Sequence, residues 1–122
     1  MARTILVVDD DRAALAGLVE LLKSAGYQAT GCRGFEQAVQ ALATAQPDLL
    51  IVDVRLGEYN GLHLIHRSRQ SHPQMASIVI SAHPDPIIER EATQAGASAF
   101  LLKPLNLARF LTTVASVLGQ HD

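Results

Sequence analysis

Short apolar runs alternate along the chain with longer segments of mixed polarity. The third run contains four consecutive apolar residues, Leu49 to Val52, which is typical of a strand covered on both faces. The pattern therefore predicts five strands, at Thr4–Val8, Gln28–Cys32, Leu49–Val54, Ser77–Ile80 and Ala99–Leu102.

Apolar residues recur three or four positions apart after each of these runs, which predicts five amphipathic helices. The recurring positions are Leu15, Leu18 and Leu22; Phe35, Val39 and Leu42; Leu62 and Ile65; Ile88, Ala92 and Ala95; and Leu107, Leu111, Val114 and Leu118. Gly26, Gly96 and Gly119 lie where helices are expected to end, and Asn106 is expected to cap the last one.

The order βαβαβαβαβα predicts an α/β fold, in which a five-stranded parallel sheet has helices on both faces. We expect one doubly wound domain over residues 1–122. A strand order of 2-1-3-4-5 would place the first and third strands side by side, with the fourth next to them. Ligands of such sheets bind outside the carboxyl ends of the strands, so those ends are where function is expected.

Composition narrows the possible functions. The chain has 122 residues, of which 48% are hydrophobic and 18% charged, so it can bury a core and is not expected to be disordered. Its formal charge of −2 and the absence of a Lys/Arg run give no reason to expect nucleic-acid binding. The single Cys32 fits a reducing, cytoplasmic setting, and no apolar run is long enough to cross a membrane.

Residues with charged or hydroxyl side chains lie at the ends of four of the five predicted strands. They are Asp9, Asp10 and Asp11 after the first strand, Asp53 at the end of the third, Ser81 after the fourth and Lys103 after the fifth. Clustered carboxylates repel one another unless a cation such as Mg²⁺, which prefers oxygen ligands, neutralises them. A carboxylate beside Mg²⁺ could attack a phosphoryl group, and a hydroxyl and an ammonium could each hold a phosphoryl oxygen. Together these groups predict a phospho-aspartate site.

Each feature alone has an ordinary structural explanation. The three aspartates could cap the following helix, a single Asp after a strand is commonly a turn residue, and a lone lysine is usually a solvated surface charge. Their occurrence together at strand ends favours the functional interpretation.

The sequence resembles the receiver domain of bacterial two-component response regulators, a CheY-like family with the flavodoxin-like fold, from Ile5 to about Leu118. The resemblance lies in the first strand with its acidic pair, the strand ending in Asp53, Gly61 eight positions later, Ile80-Ser81-Ala82, and the segment from Gly96 to Lys103-Pro104.

The resemblance implies a role for each matching residue. Asp53 would be the phosphoacceptor. Mg²⁺ would be bound directly by Asp10 and through water by Asp9, with Asp53 and the backbone carbonyl of Arg55 as further ligands. Ser81 and Lys103 would grip the phosphoryl oxygens, and Ser81 with Phe100 would form the switch pair. The Lys103–Pro104 bond is expected to be cis. The signal would be read on the surface formed by the fourth helix, fifth strand and fifth helix.

Four positions depart from the family pattern or tune the reaction. Gly57 stands where the family usually has proline. Glycine at this position would loosen the loop, because it lacks the fixed φ of proline. Arg55 and His83, two positions after Asp53 and Ser81, occupy places that face attacking water and tune the lifetime of the phosphoryl group. Asp11 stands where the family often has Glu, and is expected to be a helix cap.

The expected partners are a sensor histidine kinase or a histidine phosphotransfer protein, and a downstream effector protein or fused domain. We expect no enzymatic activity beyond phosphorylation and dephosphorylation of Asp53. Two alternatives remain: a receiver-like interaction module that works without phosphorylation, and a haloacid-dehalogenase-like phosphatase. The phosphatase family has Thr or Val where this chain has Ala13, and expects an acidic pair after the lysine.

Overall fold

The structure, a computed structural model, describes residues 2–119. Five strands form the main sheet, β1 (Thr4–Val8), β2 (Gln28–Cys32), β3 (Leu49–Asp53), β6 (Ala76–Ser81) and β7 (Ala99–Leu102), and two short strands, β4 (Arg55–Leu56) and β5 (Tyr59–Asn60), follow β3. The helices are α1 (Arg12–Ser24), α2 (Phe35–Thr44), α3 (Gly61–Ser71), α4 (Pro86–Ala95) and α5 (Leu107–Gly119). Residues 1 and 120–122 of the predicted domain lie outside the described range.

The main sheet has the order β2-β1-β3-β6-β7, and all of its neighbouring strands are parallel. Since β6 and β7 are the fourth and fifth predicted strands, the predicted order 2-1-3-4-5 is confirmed. Val8 of β1 pairs with Val52 of β3, and Asp53 pairs with Ile80 of β6. The residues that follow these pairs therefore emerge at one edge of the sheet.

Successive side chains of each central strand point to opposite faces, and each face has its own core. Ile5, Val7 and Ile51 pack in the core covered by α1 and α5. Leu6 and Val52 pack in the other core, covered by α2, α3 and α4. Every residue of β3 is buried, as expected for a central strand with helices on both faces.

Helix ends carry the predicted signals. The Asp11 side chain accepts hydrogen bonds from the backbone N–H groups of Ala13 and Ala14, so Asp11 is the N-cap of α1. Asn106 accepts from the N–H of Arg109 at the start of α5. Asp85 caps α4, and Gly96 ends it with a left-handed backbone, φ 103°. The Lys103–Pro104 peptide bond is cis, as predicted.

The side chain of Arg69 ties α3 to the end of α4. Its Nη1 donates a hydrogen bond of 3.2 Å to the carbonyl oxygen of Gly96, and the guanidinium occupies the space that a Cβ at position 96 would need. Ala92 is the only fully buried residue of α4, and it lies in the C-terminal half of the helix. The C-terminal end of α4 is therefore its anchored end.

The antiparallel β4–β5 hairpin was not predicted from the sequence. Arg55 pairs with Asn60 and Leu56 with Tyr59, while Gly57 adopts a positive φ of 62° between the two strands. The Tyr59 ring stacks on that of Phe35, at the start of α2, with centroids 5.0 Å apart. The strands have two residues each, too few to show a periodic pattern.

None of the described helices is both long and apolar enough to span a membrane.

Gly61 provides a first test of how the end of β3 is packed. A Cβ at this position would overlap the carbonyl oxygen of Asp53 and lie 2.9 Å from Val52 Cγ2. We expect Gly61→Ala to lower the free energy of unfolding by about 2 kcal/mol, because buried backbone must move to make room. The measurement is urea unfolding followed by circular dichroism.

Gly17→Ala is the matched control, because nothing lies within 4 Å of a Cβ on this residue of α1. We expect it to stabilise the protein by about 0.5 kcal/mol. Equal effects of the two substitutions would contradict the close approach at Gly61.

Candidate functional site

The Lys103 ammonium lies between two buried carboxylates at the carboxyl edge of the sheet. Its Nζ is 2.9 Å from Asp9 Oδ2 and 2.7 Å from Asp53 Oδ2. The side chains of Asp9 and Asp53 are 3% and 11% exposed, against 24% for that of Lys103. The structure thus brings together residues that are up to 94 positions apart in the chain.

Backbone N–H groups hold the second oxygen of each carboxylate. Asp9 Oδ1 accepts from the N–H of Asp11 at 3.0 Å, and Asp53 Oδ1 accepts from the N–H of Arg55 at 2.9 Å. Both carboxylates are therefore fixed in orientation from two sides. The Oδ2 atoms of Asp9 and Asp53 both face the Lys103 ammonium. These two oxygens would contact a cationic or electrophilic group bound at the site.

The environment of Lys103 keeps it charged. Desolvation is the largest single influence and acts to lower the pKa of the ammonium. The hydrogen bonds and negative charges of Asp53 and Asp9 together outweigh it, so the pKa of Lys103 lies above its ordinary value. At neutral pH the lysine is a permanent positive charge that offsets the repulsion between the two carboxylates.

Asp10 does not join the other two carboxylates. It is exposed, and its Oδ2 accepts a hydrogen bond of 3.0 Å from the N–H of Gly57. Among residues 2–119, no group of three or more His, Cys, Asp or Glu side chains is placed to hold a metal ion. The predicted set of three acidic ligands is therefore not assembled in this structure.

The donor set nevertheless fits a hard divalent cation. Asp9 and Asp53 supply oxygen ligands, and Mg²⁺ usually takes only one or two protein carboxylates and completes its shell with water. Asp10 follows Asp9 directly in the chain and could add a third oxygen donor by rotation of its side chain. Lys103 already supplies part of the neutralisation that the sequence argument assigned to a metal.

Ser81 is buried, and its hydroxyl is held by the main chain of His83. Ser81 Oγ accepts from the N–H of His83 at 3.0 Å and donates to its carbonyl oxygen at 3.2 Å. The same carbonyl accepts from the N–H of Asp85, the N-cap of α4. Ser81 also accepts a backbone bond from Lys103 at 2.8 Å, which joins the ends of β6 and β7. The hydroxyl is thus linked to the start of α4.

The remaining predicted residues surround this edge. The ring of Phe100, on β7, is partly buried against the core on the α2, α3 and α4 side. The side chains of Arg55 and His83 are exposed, and the Arg55 guanidinium makes no ion pair with a carboxylate of the described residues. Arg55 is therefore not held by an acidic partner in the part of the chain that the structure describes.

Sequence reasoning missed the backbone donors of this site. The N–H groups of Asp11, Arg55 and Gly57 each bind one of the aspartate side chains. A backbone amide carries no signature in the sequence, so only the conformation of the loops reveals it. The one available signal is Gly57 itself, because glycine is favoured where a loop needs a positive φ.

Comparison with known proteins identifies the family of the chain. Residues 5–115 match the family described as response regulator receiver domain. The chain belongs to this family. The receiver is 34% identical over 120 residues, 98% of its length, to the DNA-binding transcriptional regulator NtrC of Azospirillum brasilense. It spans only about a quarter of the length of that relative.

Solved receiver structures superpose closely. A response regulator from Thermotoga maritima is 29% identical, with a TM-score of 0.89 and coverage of 98% of this chain and 99% of that one. A response regulator from Burkholderia pseudomallei, with a phosphorylated aspartic acid, a calcium ion and citrate, shares the fold at 23% identity. Its TM-score is 0.87, with 97% of this receiver and 69% of that chain covered. The predicted fold and family are both confirmed.

Replacing Lys103 tests the central ion pairs. Lys103→Met leaves two buried carboxylates without a cation, so we expect it to lower the free energy of unfolding by about 2 kcal/mol at neutral pH. Lys23→Met, which removes the same charge from the exposed last turn of α1, is the control and should have little effect.

The pH dependence of this difference has a defined sign. Because the pKa of Lys103 is raised in the folded state, its stabilising effect is complete below the unfolded pKa of about 10.4 and is lost as pH rises through the folded value. Urea unfolding of both variants between neutral and strongly alkaline pH measures it. A difference between the wild type and Lys103→Met that does not fall at alkaline pH would contradict this account.

Proposed function

We propose that this receiver is a phospho-aspartate switch that accepts a phosphoryl group on Asp53. The observation that carries the proposal is the Lys103 ammonium, bonded at once to Asp9 and Asp53 where β1, β3 and β7 end. A buried carboxylate beside a fixed cation suits a nucleophile for phosphoryl transfer, because the cation can hold an oxygen of the incoming group.

The donor of the phosphoryl group would be a phosphohistidine on a sensor histidine kinase or a histidine phosphotransfer protein. An oxygen of Asp53 attacks phosphorus as the bond to the imidazole nitrogen breaks. Asp9, Asp10, Asp53 and the backbone carbonyl of Arg55 would hold Mg²⁺, which when bound neutralises charge on the transferred oxygens. Lys103 keeps its proton and pairs with a phosphoryl oxygen. The chemistry of this chain would be limited to gaining and losing that group.

Ser81 would carry the signal away from Asp53. Its hydroxyl must leave the main chain of His83 to reach a phosphoryl oxygen, and that step frees the carbonyl it shares with the N-cap of α4. The added charge thereby shifts a two-state equilibrium in the entry to α4, and Phe100 moves with it as the second member of the switch pair.

The surface formed by α4, β7 and α5 is the proposed output face. Ile87 on α4 and Leu102 on β7 are 61% and 43% exposed. They are two of the four large exposed hydrophobic side chains among the described residues. The other two are Tyr59 and Leu107, and Leu107 lines a cavity with residues of α1 instead. Such apolar residues suit contact with an effector protein or a fused effector domain. We place this signalling in the cytoplasm and in a single receiver domain over residues 1–122.

A second candidate is a receiver that binds its partner without phosphorylation. It is favoured by the Asp10 carboxylate, which is bound to Gly57 outside the pair of buried acids, and by the Ser81 hydroxyl, which is bound to His83. The retained Asp9, Asp53 and Lys103 cluster favours the phosphorylation switch, since interaction alone does not need two buried carboxylates.

Phosphorylation is tested directly with Mg²⁺ and acetyl phosphate. We expect mass spectrometry to show the gain of one phosphoryl group in the wild type and none in Asp53→Asn, which keeps the shape of the side chain but not its nucleophilic charge. Asp48→Asn, a carboxylate near the opposite end of β3, is the control and should still be phosphorylated. No adduct on the wild type with this or any phosphohistidine donor would favour the second candidate.

Arg55 is expected to lengthen the life of the phosphoryl group. Its backbone N–H binds Asp53, and its long side chain is exposed and makes no ion pair with a carboxylate of residues 2–119, so it would be free to shield the acyl phosphate from water. We expect Arg55→Ala to shorten the half-life several-fold, measured by loss of the adduct after the donor is removed, while Arg67→Ala on the exposed side of α3 leaves it unchanged. His83→Ala tests the second rate-tuning position in the same assay. An unchanged or longer half-life in Arg55→Ala would refute the shielding role.

A further inference from the structure

The β4–β5 hairpin holds one backbone donor against the acidic end of β1. Gly57 lies between the two short strands with φ 62°, and its N–H donates a 3.0 Å hydrogen bond to Asp10 Oδ2. Asp10 is 47 residues away in the chain, so this bond fastens the loop after Asp53 to the loop after β1.

A second contact fixes the hairpin at its other strand. Tyr59 is half exposed, yet its ring stacks on Phe35 with an interplanar angle of 18°. Such an aromatic pair contributes more than the area it buries, and it anchors β5 to the start of α2. The hairpin is therefore held at two points, and the Gly57 N–H is kept in a defined place.

The bond to Gly57 accounts for the position of Asp10. The carboxylate is exposed and is directed to the hairpin, whereas Asp9 and Asp53 share Lys103. The hydrogen bond occupies Oδ2 of Asp10 and fixes the orientation of the carboxylate, so a cation that needs this oxygen or another orientation has to displace the bond. A proline at position 57 would have no N–H to offer, so this contact is possible only because the residue here departs from the family's proline.

We propose that the Gly57 N–H is a positioning group that keeps the Asp10 carboxylate bound to the hairpin. A divalent cation that binds at the site then has to displace this hydrogen bond. The Tyr59–Phe35 stack keeps the donor in place and sets the strength of this competition. The inference rests on the proposed function for the identity of the cation. It adds a determinant of cation affinity that lies in the hairpin and outside the ligands themselves.

The first experiment follows the Gly57 amide by NMR, with Mg²⁺ alone as the probe. In metal-free protein we expect the amide to be protected from hydrogen exchange, and we expect Asp10→Ala to remove that protection. Saturation with Mg²⁺ should also remove it, because the carboxylate leaves the N–H. An amide that stays protected in the Mg²⁺-saturated wild type, or one that is equally protected in Asp10→Ala, would overturn the proposal.

The second experiment measures Mg²⁺ affinity by isothermal titration calorimetry. Gly57→Pro removes the donor and also forces the loop out of its φ of 62°, because proline holds φ near −65°. We expect it to bind Mg²⁺ roughly threefold to tenfold more tightly, as the loss of one competing hydrogen bond implies. Gly57→Asn is the matched control, because it keeps the N–H, its Cβ meets nothing within 4 Å, and asparagine tolerates a positive φ such as the 62° found here. Its affinity should stay close to that of the wild type.

Tyr59→Ala tests the same competition without a change to Gly57 or Asp10. It removes the stacking contact between the hairpin and Phe35, so its effect does not depend on how proline alters the loop. It should tighten Mg²⁺ binding in the same direction, whereas Tyr59→Phe, which keeps the stacked ring, should not. Unchanged or weaker binding in both Gly57→Pro and Tyr59→Ala, with a wild type that binds Mg²⁺, would overturn this inference alone. Failure of the wild type and every variant to bind Mg²⁺ would overturn it together with the cation site of the proposed function.

Discussion

The arrangement of this edge of the sheet depends on one ammonium group shared by two buried carboxylates. Asp9 and Asp53 emerge from adjacent strands because Val8 and Val52 are paired, so their repulsion follows from the sheet register itself. Lys103 reaches them from β7, at the far side of β6. Without this cation the two charges could not remain buried side by side at such low exposure, since a buried charge needs a partner.

The fold was largely predictable because its signals are periodic and repeated. The bounds of β1, β2 and β7 match the apolar runs, and the order of the strands follows from the alternation of strand and helix. Caps at Asp11 and Asn106 were also identified, because short polar side chains before an amphipathic run have one common use. The β4–β5 hairpin was missed because two-residue strands leave no pattern and depend on a ring contact with Phe35.

The sequence predicted which residues form the site better than it predicted the contacts between them. The strand ends indicated Asp9, Asp53, Ser81 and Lys103, and the structure brings the first two and the lysine into direct contact. The orientation of Asp10 and of the Ser81 hydroxyl could not be read from residue types, because backbone groups of Gly57 and His83 determine them. Their roles toward a phosphoryl group therefore stay predictions, as do those of Arg55 and Phe100.

The tie between Arg69 and Gly96 limits how the molecule can respond to a change at Ser81. The far end of α4 is fastened to α3 and carries the one fully buried residue of the helix, while its near end is connected to Ser81 through His83 and Asp85. In the proposed switch, α4 would therefore pivot about its last turn. Displacement would grow along the helix axis toward Pro86, so a small shift of one hydroxyl would be magnified where Ile87 meets the solvent.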